Sequence, residues 1–360
     1  MTQCPAASVA SVHHRWCRLH GLAFFLVVWA ALTATPRIAQ AVEPEDWPAV
    51  IELGMPFGVE WGDGRLWLTS ITDESIVEVM RDGQQRIVAG SQGTGLGGDG
   101  GRATAARFNW PHEVRVDAAD NLYIADTRNH VIRKVDAATG KVRAVAGDGK
   151  AGFADGVAAA ARFDQPHSVV LMDDQTLLVA DTKNHRIRRI DLATGRVTTF
   201  CGDGQRRLPE DGQSRVDASL FGPRSLAVDR DGIWIALREG NSIWRIDRKT
   251  DRLVHVAGSG AKGYQGDGGS AKTATFNGPK GLAIDGLGRV LVVDTENHCV
   301  RRIDVGRDSI ETVLGGRRAA ETETLLRPHG IACFGAGDAF FVADSENDRV
   351  LRWPVDGTAE

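Results

Sequence analysis

The stretch ADTRNHVIRKVD, from Ala125 to Asp136, returns as ADTKNHRIRRID from Ala180 to Asp191 and as VDTENHCVRRID from Val293 to Asp304. Looser copies are ALREGNSIWRID (Ala236 to Asp247) and ADSENDRVLRWPVD (Ala343 to Asp356), and the faintest is TSITDESIVEVMRDG (Thr69 to Gly83). One aligned position reads Ser70, Asp126, Asp181, Leu237, Asp294 and Asp344, at spacings of 56, 55, 56, 57 and 50 residues. A unit that short cannot bury a core by itself, so the copies must stack on one another, as in a propeller or solenoid. This constraint overrides the length prior, by which 360 residues would suggest two domains.

The second copy shows the grammar of the repeat. VRVD (Val114 to Asp117) alternates as a strand does, and Ala118 to Asn121 turn. LYIAD follows, Thr127 to His130 turn again, VIRKVD makes a third strand, and Ala137 to Gly140 lead into a fourth, VRAVAG. Four antiparallel strands, six times over, predict an all-β six-bladed β-propeller. The 42 glycines fit its many tight turns.

A long segment joins each fourth strand to the next blade, best seen in GGDGGRATAARFNWP (Gly97 to Pro111) and QGDGGSAKTATFNGP (Gln265 to Pro279). Asp99, Asp155, Asp211 and Asp267 precede alanine-rich turns, which predicts helix capping, with calcium binding as the alternative. The phenylalanine further along each segment is expected to tuck in as an anchor. Strand direction places these crossovers on the same face as the turns between second and third strands. The prolines that open the innermost strands lie there too, at the mouth of the central channel, and long ordered loops are where function concentrates. Blade six ends with a third strand, LRWPVD, so Val42 to Val50 are expected to supply its fourth and close the ring.

The N-terminus reads as an export signal in residues 1–41. Arg15 and Arg18 precede the apolar run Gly21 to Ala34, and Ala39-Gln40-Ala41 supplies a small-x-small cleavage pattern. The run is short for a membrane span, which needs about 20 apolar residues, so membrane attachment is expected only if the segment stays uncleaved. A secreted or periplasmic location is the expectation, with a propeller over residues 42–360. Cleavage removes Arg15, Arg18 and Arg37 and no acid, taking the net charge from −4 to −7, which argues against nucleic acid as a partner. Three cysteines stay behind it, Cys201, Cys299 and Cys333, allowing at most one disulfide. The last two fall where other copies carry apolar residues and read as small buried hydrophobes. Trp61, Trp67, Trp234 and Trp244 fall in strands and are expected in packing layers.

The cores Asn129-His130-Val131, Asn184-His185-Arg186 and Asn297-His298-Cys299 resemble the NHL repeat, and the likeness extends over the chain beyond the export segment. The resemblance implies a six-bladed propeller, commonly a protein-binding platform. A minority of similar propellers are enzymes, notably the peptidyl-hydroxyglycine alpha-amidating lyases. The recurrence of His130, His185 and His298 at every good copy points to a structural role for them.

The residue after each opening proline reads Phe57, His112, His167, Arg224, Lys280 and His329. These side chains start beside the axis and can converge from distant sequence. Three imidazoles, His112, His167 and His329, could bind zinc with a position left for substrate. The lyase zinc histidines resemble these Pro-His pairs but come from alternate blades, whereas His112 and His167 are on adjacent ones. The turns that would carry a lyase's catalytic tyrosine read Thr127-Arg128, Thr182-Lys183 and Thr295-Glu296. Arg224 and Lys280 oppose a divalent metal and suit an anion instead. Asp126, Asp181, Asp294 and Asp344 are expected near this face, where they would offset those cations. Two functions stay open: a binding module for a protein, peptide or anionic small molecule, requiring no cofactor, and a metal-dependent propeller lyase or hydrolase.

Overall fold

The computed structural model describes residues 46–90, 93–316 and 324–356. The export segment read at residues 1–41 lies outside them, and among the described residues no helix is long and apolar enough to cross a membrane.

Six antiparallel sheets succeed one another along the chain, each running from an inner to an outer strand. The innermost strands are Pro56–Gly62, Pro111–Val116, Pro166–Asp173, Pro223–Val228, Pro279–Ile284 and Ile331–Phe334. The sixth blade takes its fourth strand from the N-terminal side of the chain. Val50–Glu52 pairs antiparallel with Arg349–Pro354, Val50 opposite Leu351 and Glu52 opposite Arg349. The closing strand thus begins where Val42 to Val50 were expected to end. Trp47 anchors the approach, edge-on to Trp61 at 5.0 Å and to Phe341 at 5.8 Å. Blade three carries a fifth, two-residue edge strand, Gly156–Val157, drawn from its crossover.

The core is six layers rather than one. Each apolar cluster draws its residues from two adjacent blades, such as Leu178 and Ile187 with Leu226 and Ile235 between blades three and four. The second strands are buried on both faces, which is why LYIAD and LLVAD read as nearly unbroken apolar runs. Trp67, Trp234 and Trp244 are buried in these layers and Trp61 packs against one. All three cysteines are free, with Cys333 only partly covered.

Every joint between blades carries the same stitch. The turn after each second strand ends on a left-handed residue: Glu74, His130, His185, Asn241, His298 and Asp348. The side chain of that residue accepts the N–H of the residue before the next blade's opening proline. Trp110 N–H donates to Glu74 Oε2 (2.6 Å), Gln165 to His130 Nδ1 (3.2 Å) and Gly222 to His185 Nδ1 (3.1 Å). Gly278 donates to Asn241 Oδ1 (3.0 Å), Arg327 to His298 Nδ1 (3.0 Å) and Met55 to Asp348 Oδ1 (2.7 Å), which closes the circle. A second stitch runs alongside, with the hydroxyls of Thr127, Thr182, Thr295 and Ser345 donating to the carbonyls of Pro166, Pro223, Pro328 and Pro56. The repeated histidines are therefore structural, and each must keep Nδ1 unprotonated.

That requirement sets a pH dependence. Burial, then Arg206, holds His185 below its ordinary pKa. The unfolded chain consequently binds protons first, and the stitch loses its contribution as pH falls below about 6.5 and through the depressed folded value. His185→Ala is expected to leave the Gly222 N–H without an acceptor, at a cost of about 1–3 kcal/mol. His185→Asn copies Asn241 and is expected to keep most of the stability at pH 7.5 while flattening its fall toward pH 5.5. Thermal unfolding at the two pH values checks both.

The crossover aspartates do not cap helices. The short turns Ala103–Ala105, Ala158–Ala160 and Ala271–Thr273 have no side-chain cap, and Arg102, Val157 and Ser270 occupy the capping positions. Asp99, Asp155 and Asp267 instead bind the fully buried guanidinium groups of Arg133, Arg188 and Arg301 on the third strands. Asp211, in a blade without that arginine, accepts the N–H of His255 at 2.8 Å. The phenylalanines tuck in as expected at Phe108, Phe163 and Phe276, while in blade four Leu220 takes the place and Phe221 stays half-buried.

Candidate functional site

The six residues after the opening prolines face one another at one end of the channel, where His112, His167, Arg224, Lys280 and His329 line a single cavity of about 300 Å³ with Phe57. Aromatic and cationic residues are not interleaved around the ring. The four aromatic rings occupy consecutive blades, in the order His329, Phe57, His112, His167, and the two cations come next on blades four and five. Ring contacts run along the aromatic arc: Phe57 lies 3.8 Å from His329 and 4.9 Å from His112, and His112 lies 4.5 Å from His167. Trp110, immediately before its proline and left-handed, extends this wall. It stands 6.1 Å from Phe57 and carries Arg128 over its ring at 3.3 Å.

Local hydrogen bonds fix the histidine tautomers. His112 Nδ1 donates to the Trp110 carbonyl (3.0 Å) and His329 Nδ1 to the Arg327 carbonyl (2.9 Å). His167 Nδ1 meets the hydroxyl of Thr182 at 2.9 Å, and that hydroxyl already donates to Pro223. Each Nε2 is left as an acceptor, and that of His329 receives Lys280 Nζ at 3.1 Å. Burial, then Arg224, holds His112 and His167 well below the ordinary imidazole pKa, and burial with Lys280 does so for His329. All three rings are neutral at pH 7.

The same side chains do not fit a zinc centre. Among the described residues no three or more His, Cys, Asp or Glu side chains stand together as a metal-binding group. His112 and His167 touch, but His329 is set apart from them by Phe57 and turned to Lys280. The crossover aspartates, considered for calcium, are engaged by arginine and backbone N–H groups instead.

The cations have unequal surroundings. Lys280 Nζ is 3.3 Å from Glu296, which also receives Arg327. Burial, then Arg224, brings the Lys280 pKa down to about 7. Arg224 is 7 % exposed and forms no hydrogen bond or ion pair with any described residue. Burial and the neighbouring Arg238 both oppose its charge, with Glu113 and Glu239 acting only at a distance. A guanidinium stays protonated regardless, so a permanent positive charge without a direct partner faces the cavity. Asp126, Asp181, Asp294 and Asp344 do not offset it. They are fully buried behind the rim, where each accepts a crossover N–H at 2.7–2.8 Å: Asn109, Asp164, Asn277 and Leu326.

Below the mouth the channel narrows to a void of about 20 Å³ lined by Glu113 and Arg115, which are ion-paired. Arg115 also reaches Glu60 at 3.3 Å. Burial raises the Glu113 pKa to about 7 against the pull of Arg115. On the other half of the ring Gly281 and Gly330 let the inner strands close up, since a Cβ there would run into the carbonyls of His329 and Phe57. The cavity therefore opens toward the crossover face.

A family model, the NHL repeat, matches residues 108–134, 163–190 and 276–303, which are blades two, three and five. The chain is 28 % identical over 278 residues to NHL repeat-containing protein 2 of Bos taurus, a match covering 67 % of this chain and 38 % of that protein, so the chain spans well under half of that relative's length. In structure it is similar to an auxiliary nutrient binding protein from Bacteroides thetaiotaomicron, at 15 % identity and TM-score 0.59 over 84 % of this chain and 69 % of that one. It is also similar to a gluconolactonase from Xanthomonas campestris, at 13 % identity and TM-score 0.57 over 84 % and 86 % of the two chains. Likeness at such identities lies in the fold. The chain thus carries NHL repeats, matched in three of its blades, and folds as a six-bladed β-propeller.

Proposed function

We propose that the protein is a binding module that captures a small anionic ligand at the channel mouth, on the crossover face. The observation that carries this is Arg224, a buried cation with no partner, aimed into a cavity of small-molecule size. A poorly hydrated cation without a protein partner is costly to keep, and an arriving anion would supply that partner. Lys280 adds a second, pH-sensitive positive charge: affinity is expected to fall as pH rises through about 7 and that amine loses its proton. Export, to a secreted or periplasmic location, is part of the same reading and rests on Arg15, Arg18, the run Gly21 to Ala34 and Ala39-Gln40-Ala41.

The test is thermal unfolding of the purified protein across a panel of small carboxylates and phosphates. Ligands that bind the native state raise the midpoint, and replacing Arg224 and Lys280 together by Ala is expected to abolish that response without unfolding the protein. An unchanged response in the double variant, or no response to any anion in the wild type, would contradict the proposal.

Of the two solved structures, one is named for nutrient binding and the other as a lactonase, and the shared fold does not choose between such roles. A second reading, an enzyme working from the same mouth, is favoured by the Lys280–His329 pair. An amine with a pKa near 7 standing 3.1 Å from a neutral imidazole is placed for proton transfer. Lys280→Met would then abolish turnover while leaving Arg224-dependent binding in place.

A further inference from the structure

Cation and aromatic surface are segregated at the mouth, and the segregation narrows the class of ligand, given that the mouth captures an anion. One side of the cavity offers Arg224 and Lys280, and the other offers Phe57, His112 and Trp110. Phe57 and His112 meet edge to face, at 89°, and Trp110 lies 5.8 Å from His112, so the three form a continuous aromatic wall, with one face of Trp110 covered by Arg128. The neutral imidazole of His112 belongs to it. A purely inorganic anion would leave this wall in water, and a neutral aromatic would leave Arg224 unpaired.

Of the other cations on the cavity wall, Arg238 pairs with Glu239, Arg327 pairs with Glu346 and Glu296, and Lys183 is exposed. An anion is therefore placed against Arg224 and Lys280. A volume of about 300 Å³ holds a body of one or two rings.

We propose that the mouth cavity recognises an aromatic ring system joined to a carboxylate, with the carboxylate against Arg224 and Lys280 and the ring against Phe57, His112 and Trp110. This proposal rests on anion capture at the same mouth. That chemistry belongs equally to a free aromatic acid and to an aromatic residue at the C-terminus of a peptide chain.

Titration calorimetry of the purified protein decides it. The probes are indole-3-acetate, acetate, neutral indole, and a tripeptide ending in Trp as free acid and as amide. Burying a ring contributes about 1.5–3 kcal/mol, so indole-3-acetate is expected to bind about tenfold to a hundredfold tighter than acetate, and indole without a carboxylate far more weakly. Trp110→Leu and, as a gentler variant, Phe57→Leu are expected to weaken indole-3-acetate and leave acetate unchanged, while Arg224→Gln weakens both. The tripeptide acid binding where its amide does not would identify a chain terminus as the source. Binding of indole-3-acetate alone would identify a free acid, and either supports the proposal. Equal affinity for acetate and indole-3-acetate would overturn the aromatic half while leaving anion capture intact. Failure of every acid to bind would overturn both.

Discussion

Replacing Arg188 by Leu is expected to destabilise the protein by about 3–5 kcal/mol, although Arg188 does not line the mouth cavity and the substitution lengthens an apolar run. The guanidinium is fully buried and all five of its N–H groups are used. Nε and one Nη donate to Asp155 at 3.2 and 2.5 Å, and the same Nη donates to the Ala154 carbonyl at 2.8 Å. The other Nη donates to Asp181 at 2.7 Å and to the Arg162 carbonyl at 3.0 Å. The ring of Phe163 lies 5.2 Å from this guanidinium. One side chain therefore ties the crossover to the third strand. Leu in its place would leave the buried Asp181 without its cation and two carbonyls without donors.

Blade four shows how a blade manages without the clamp. There Leu237 replaces the aspartate and Trp244 the arginine, and both are buried in apolar layers. Asp181→Leu with Arg188→Trp copies that solution and is expected to lose clearly less stability than Arg188→Leu alone. Urea unfolding of the wild type, the single and the double variant checks this. A single variant within about 1 kcal/mol of wild type would refute the clamp.

This clamp was also what the sequence hid most effectively. Strand alternation within VIRKVD and RIRRID allows an arginine to face solvent, and the partner Asp99 or Asp155 lies on a different segment. A usable signal existed across copies. Asp126, Asp181 and Asp294 each occur with an arginine seven positions on, both are missing at Ser70 and Leu237, and Asp344 has Leu351 in the arginine's place. By contrast the blade count and strand order were legible, because a period near fifty residues with four alternating segments leaves few alternatives. Closure by the N-terminal side was legible too, from a last blade that lacked a strand. The structural character of the Asn-His turns came from their recurrence. Their part as acceptors across each blade joint did not, since it depends on a left-handed backbone at the end of each turn.

At the mouth, the position after each opening proline could be read from the repeat alone. Trp110 was missed, because its place one residue before the proline gives no periodic signal in a single copy. The aspartates expected to balance the cations are turned away into backbone contacts, which local sequence does not specify. That leaves Arg224 alone.

Arg224→Met is accordingly expected to act in opposite directions on stability and binding. In the ligand-free protein it removes a buried charge that nothing pairs, while a side chain of similar reach keeps the packing. A gain of about 1–3 kcal/mol is expected, with a midpoint several degrees higher. Anion capture would be lost with the guanidinium. Sites held ready for a ligand often lower the stability of the free protein in this way.

The most direct measurement is therefore thermal unfolding of wild type and Arg224→Met, each with and without acetate and indole-3-acetate. The variant is expected to melt higher than wild type when both are ligand-free, and only the wild type is expected to gain from an acid. A variant that melts lower, or that responds to the acids as the wild type does, would contradict the assignment of Arg224 as a cation kept unpaired for an anionic ligand.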